Sequence, residues 1–166
     1  MGVTDRPGID PDQVAAPRAR RPFAVHHRAR VLSVIFVGGA VGTLTRAVLE
    51  DGLPAQPGRM PWTTLAINVA GSLLLGLLLE VLTRTGPDSG WRRTARLGLG
   101  TGVLGGFTTY STFAVETVER LTPDSLVVGL AYPVASALLG VIAAAVGYRL
   151  AHHLRRRGRA PGEGDR

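Results

Sequence analysis

The 166-residue chain contains no cysteine, so neither a disulfide framework nor a thiolate metal site contributes to its structure. It has no lysine either, and all 19 basic residues are arginine. The N-terminal segment carries Asp5, Asp10, Asp12 and several prolines. It lacks the short apolar core and small-residue cleavage site of a secretory signal. No apolar run alternates with the period of two that the lumen and lipid faces of a membrane barrel impose. No nucleotide-binding motif and no acid/base pair is visible, which argues against an enzyme.

Polarity is concentrated at the two ends, and the stretch from Val31 to Leu150 is dominated by Leu, Val, Ala and Gly. Four runs there are long enough to cross a hydrocarbon core, which takes about 20 helical residues. They lie at Val31 to Glu50, Trp62 to Leu82, Ala95 to Leu121 and Ser125 to Leu150. The expected organisation is a disordered basic tail over 1–30, an all-α four-helix membrane domain over 31–150 and a basic tail over 151–166. Four helices of this size have little interior. An ion-conducting path therefore calls for pairing with a second subunit, and a dimer is expected.

With four spans, both termini and the loop between the second and third spans share one side of the membrane. That side carries every arginine except Arg46, Arg59 and Arg120. The positive-inside rule then places both termini in the cytoplasm, as in a multi-pass cell-membrane protein. Beside a span, the cluster Arg18, Arg20, Arg21, Arg28 and Arg30 reads as a cytoplasmic lipid anchor rather than a nucleic-acid site.

Polar groups inside spans are costly and mark partners, cavities or ion paths. Gly38, Gly42 and Arg46 follow at intervals of four and share a face of the first helix. Arg46 either snorkels to the interface or turns inward to draw anions into a vestibule. In the second helix Thr64, Asn68 and Ser72 are again four apart. The Asn68 amide either ties a neighbouring helix or offers its two N–H donors to a small anion. Glu80 reads as a solvated helix-end residue. The third run, LGLGTGVLGGFTTYSTF from Leu97 to Phe113, is too rich in glycine for an uninterrupted helix, each one giving up about 1 kcal/mol relative to alanine. A break is expected near Gly105 to Thr109, where freed carbonyls can hold a small cation. Tyr110 and Phe113 share a face beyond it, either as packing or as electropositive ring edges toward an anion. Tyr132 and Ser136 form a polar track on the fourth helix, where Pro133 is expected to introduce a kink.

On three of these segments, GGAVGTLTR at Gly38 to Arg46, TTLAINVAGS at Thr63 to Ser72 and GGFTTYSTF at Gly105 to Phe113, the chain resembles the CrcB/Fluc family of fluoride channels. The resemblance covers about Val31 to Leu150. It implies an antiparallel dimer with two fluoride pores and a central structural sodium ion held by third-helix carbonyls, here those of Gly105 and Thr108. It assigns the pore to Asn68, Tyr110, Phe113 and Thr112, with the hydroxyl track at Tyr132 and Ser136 and the vestibule arginine at Arg46. Glu116 matches an acidic position. The implied function is passive export of cytoplasmic fluoride through the lipid bilayer.

Two positions depart from that pattern: Tyr110 stands where phenylalanine is usual, and Gly140 where the track often continues with serine. The arginine asymmetry is a third departure, because an antiparallel homodimer requires one sequence to insert both ways. It favours a heterodimer with an oppositely oriented relative over a homodimer. The rival functions are a proton-coupled multidrug exporter of the small four-helix type and a non-conducting scaffold subunit. The exporter needs a membrane-buried carboxylate in the first helix, which has none before Glu50.

Overall fold

A computed structural model describes residues 25–157, with side-chain surroundings from 29 to 154. The terminal residues before 25 and after 157, expected as tails, lie outside the described residues. Residues 25–30 and 151–157, also expected as tail, belong to helices.

Three long helices form the frame: α1 (Val25–Gly52), α2 (Trp62–Arg84) and α6 (Leu126–Arg157). Each contains a stretch apolar and long enough to cross a bilayer, the shortest having 23 residues. At 1.5 Å per residue that is about 35 Å, more than the hydrocarbon thickness of about 30 Å. Large apolar side chains such as Phe36, Leu44, Val127 and Val141 point outward. The fully buried set, by contrast, is Tyr132, Thr64 and Pro61. Such an inside-out distribution suits a protein solvated by lipid, with its polar groups satisfied internally.

Between α2 and α6 the chain runs through four pieces: α3 (Gly90–Ala95), a π-helix (Arg96–Leu104), α4 (Gly105–Phe107) and α5 (Ser111–Glu119). The packing register makes this a membrane crossing. Ser72 lies by Gly140, Gly76 by Ala144 and Arg84 by His152, so α2 and α6 run parallel. The segment joining them must therefore return across the bundle. It does so parallel to α1, where Val34 meets Gly98, Ile35 meets Gly102 and Gly39 meets Gly106. The protein is thus an all-α, multi-pass membrane protein with three continuous crossings and one composite one.

Glycine is required where α1 meets this composite span. A Cβ on Gly38 would come within 2.5 Å of the Gly98 carbonyl, and one on Gly42 would collide with the Val103 carbonyl. Backbone-to-backbone approach of this kind replaces the missing hydrophobic drive between helices in lipid. It also explains where the interruption falls. The pair Gly105–Gly106 stays helical because Gly106 packs against the Gly39 carbonyl, and the glycines before it are accommodated by π winding. The helix stops at Phe107. Thr108 is extended (φ −77°, ψ 155°), and regular helix resumes at Ser111.

Two charged residues are buried, one of them against its sequence reading. Glu80 is buried rather than solvated, and it pairs with Arg84 and with His152 Nδ1 (3.1 Å), tying α2 to α6. Arg120 is also buried. Its guanidinium donates to the backbone carbonyls of Arg59 (2.6 Å), Glu116 (2.7 Å) and Gln56 (3.3 Å), pinning the α1–α2 loop to the end of α5. Pro133 lies inside α6 without ending it.

Candidate functional site

The break frees the backbone groups of Thr109, and a side chain of α2 takes them up. From α2, Asn68 Nδ2 donates to the Thr109 carbonyl (3.1 Å), while the Thr109 N–H donates to Asn68 Oδ1 (2.9 Å). The Thr109 hydroxyl accepts from the Thr112 N–H (3.1 Å) and donates to the Thr112 hydroxyl (3.0 Å), which caps the start of α5. Asn68 thus holds the interrupted chain and still keeps one of its two amide hydrogens for a ligand.

Arg46 approaches the same break from α1. Its Nε reaches toward the Gly106 carbonyl and its Nη1 toward the Thr112 hydroxyl, both at 3.5 Å. Its firmest contact is an ion pair with Glu50 at 2.9 Å, one helical turn on. Arg46 therefore spans both sides of the interruption, and much of its charge is neutralised before any anion arrives.

Aromatic rings continue from the break into the protein. The Tyr110 and Phe113 centroids are 5.9 Å apart, and those of Phe113 and Tyr132 5.2 Å. Tyr110 is 81% exposed while Tyr132 is fully buried, so the row runs from the protomer surface to its core. At the inner end the Tyr132 hydroxyl donates to Glu116 Oε2 (3.0 Å), and Thr64 donates to Oε1 (2.9 Å). Each oxygen of this buried carboxyl group thus has a hydroxyl partner, as buried polar groups require.

A groove of about 420 Å³ lies between the composite span, α2 and α6, and it gathers Asn68, Gly105, Thr108, Tyr110, Phe113 and Ser136, with Ser72 beside them. Three residues assigned to the path lie outside this groove. Tyr132 is enclosed behind Phe113 with its hydroxyl committed to Glu116, Thr112 faces Thr109 and Arg46, and Arg46 lies on the α1 side. The carbonyls of Gly105 and Thr108 accept no hydrogen bond among the described residues. The donor that a continuing α-helix would send to Gly105, the Thr109 N–H, goes to Asn68 instead. Two unpaired carbonyl oxygens suit a hard monovalent cation.

Sequence reasoning missed Thr64, Glu116 and Arg120 as a connected polar core. The available signal was a carboxylate and an arginine inside a membrane run, four residues apart.

Residues 33–148 match the family described as CrcB-like protein, Camphor Resistance. A Cutibacterium acnes protein named fluoride-specific ion channel FluC 1 is 42% identical over 126 residues, 76% of this chain and 88% of its own length. FluC 2 of Leifsonia xyli subsp. xyli is 44% identical over 131 residues, 79% and 90% of the two chains. FluC 1 of Rhodococcus jostii is 44% identical over 124 residues, 75% and 87% of the two chains.

Proposed function

The chain belongs to the CrcB family, and from that premise we propose that it is a fluoride-specific ion channel, a non-enzymatic conductor that lets cytoplasmic fluoride leave passively. The observation that carries this reading is the groove in which Asn68, Tyr110, Phe113 and Ser136 meet beside the interrupted span. A small anion entering it exchanges water for the free Asn68 amide hydrogen, the Ser72 and Ser136 hydroxyls and the electropositive edges of two rings. None of these groups is a charge that would trap the ion, which a conducting site must avoid. A narrow path of such weak donors compensates the dehydration of a small halide better than that of a large one.

The groove is open in one protomer, and Tyr110 stands out from it. We assign its cover to a second subunit in antiparallel orientation, and the arginine asymmetry favours a separately encoded relative inserted the other way. Arg46 concentrates anions near the path while its pair with Glu50 keeps it from binding them tightly. Tyr132 and Thr112 act behind the path, Tyr132 by seating Phe113 and Thr112 by completing the cap of α5. A sodium ion fits the unpaired carbonyls of Gly105 and Thr108, where it would supply positive charge that joins the two facing breaks. The proton-coupled exporter is disfavoured because both carboxylates of α1 lie at the end of the helix, Glu50 paired with Arg46 and Asp51 exposed.

The test is fluoride efflux from proteoliposomes, followed with a fluoride electrode. Fast efflux without chloride efflux supports the channel. Proton-dependent exchange of organic cations supports the exporter, and no transport by the co-expressed pair supports a scaffold. Robust efflux from the purified single chain removes the heterodimer.

A further inference from the structure

A second groove of about 650 Å³ lies outside the proposed pore, between α1 and the first half of the composite span. Its floor is apolar, formed by Val34, Gly38, Leu99 and Val103, and Arg30 and Trp91 stand at its mouth. It runs beside the close glycine contact of the two helices, where a Cβ on Gly38 or on Gly98 would come within 2.5 Å of its neighbour.

Its depth is set by helix geometry. Arg30 precedes Arg46 by about 24 Å along α1, close to the thickness of the hydrocarbon layer, so the two arginines mark opposite interfaces. Gly38 lies about 12 Å inward from Arg30, at the level of lipid tails. Trp91 is 64% exposed at the Arg30 end, the position of an interfacial tryptophan. The mouth is also cationic. Arg30 is exposed there and holds no ion pair among the described residues. Arg92 does not add to it, since its guanidinium donates to the carbonyls of Pro87 (2.9 Å) and Thr85 (3.1 Å).

We propose that this groove is a binding site for an anionic phospholipid of the same leaflet, with its phosphate at Arg30 and one acyl chain along Val34, Gly38 and Val103. Charge at the mouth and an apolar floor at tail depth together match this ligand, whereas a peptide would have to bring unpaired backbone groups into the hydrocarbon. The bound lipid lies along the groove beside the glycine contacts of α1 with the composite span and covers their lipid-facing side.

The chain has two tryptophans, so a full-length Trp62→Phe variant makes Trp91 the sole reporter. It is reconstituted in mixed phosphatidylcholine and phosphatidylglycerol vesicles, with bromine on the acyl chains of one lipid or the other. Trp91 fluorescence should be quenched preferentially by brominated phosphatidylglycerol, with an enrichment of about fivefold, the preference one arginine near a surface provides. Arg30→Gln should abolish the preference. Arg149→Gln, which removes an exposed charge from the same end of α6, should leave it intact. Equal quenching by both lipids overturns the proposal. So does equal loss in the two arginine variants, which would mean a diffuse field, and so does weak quenching by either lipid, which would mean that a second copy covers the groove.

Discussion

Asn68 grips the peptide of Thr109 at both ends, donating to its carbonyl at 3.1 Å and accepting from its N–H at 2.9 Å. One side chain thereby restores two bonds that the interrupted helix lost, and the same amide faces the groove. The structural role and the proposed conductive one, which compete as explanations in the sequence, are compatible in one residue. Asn68→Ala should abolish fluoride efflux and destabilise the fold by about 2 kcal/mol or more, since a buried group left unpaired costs about 1–3 kcal/mol. Asn68→Asp keeps the acceptor and loses the donor while adding negative charge. It should retain more of the thermal stability and still block efflux.

Tyr110 is exposed, and its hydroxyl has no partner among the described residues. Tyr110→Phe should leave stability within about 0.5 kcal/mol, as for most exposed positions, and should preserve fluoride selectivity. Tyr110→Ala should cut efflux sharply with equally little effect on melting. Unchanged efflux in the alanine variant would remove the ring edge from the path.

Glu116 couples α5 to α2 and α6 through Thr64 and Tyr132. Tyr132→Phe and Thr64→Val should each destabilise by about 1–3 kcal/mol, and the double variant should deviate from additivity because both hydroxyls serve one carboxylate. Denaturation in detergent provides the measurement.

Gly42→Ala would drive a methyl group into the Val103 carbonyl. Overpacking costs about 1–3 kcal/mol. Displacement of the composite span should also reduce efflux, whereas Gly39→Ala, which meets open space at its Cβ, should be nearly neutral. Paired melting and efflux assays distinguish the two.

Asp88, in the loop before α3, forms a two-pronged pair with Arg96 (2.7 and 3.2 Å), whose guanidinium holds its carboxyl below the usual carboxylate range. A depressed carboxylate stabilises the folded loop above its unfolded pKa of about 3.9, and the contribution is lost as pH falls through the lower folded value. Amide exchange in the loop should therefore accelerate on acidification beyond its intrinsic pH dependence. The difference should be small and should vanish in Asp88→Asn, because the pair is exposed and screened.

The four crossings were legible because apolar runs about 20 residues long declare themselves, and the spacing of four in Gly38, Gly42 and Arg46 placed the right face of α1 against its neighbour. Helix ends were less legible: α1 and α6 extend into arginine-rich sequence, since charged residues are good helix formers once outside the hydrocarbon. The interruption had to lie somewhere in a glycine-threonine run, but its location at Thr108 depends on Gly106 packing against α1 and on Asn68 meeting Thr109. Both are tertiary contacts. Glu80 looked like an end charge because its burial depends on His152 from a distant helix, and the burial of Arg120 depends likewise on loop carbonyls of Gln56 and Arg59.

The most direct test is fluoride-electrode efflux from proteoliposomes that contain this chain co-expressed with a candidate for the proposed oppositely oriented relative, compared with the same pair carrying Asn68→Asp. The predicted result is rapid fluoride efflux with chloride retained, abolished by the substitution in protein that remains folded. No fluoride efflux from the unaltered pair, or equal release of chloride, would contradict the account.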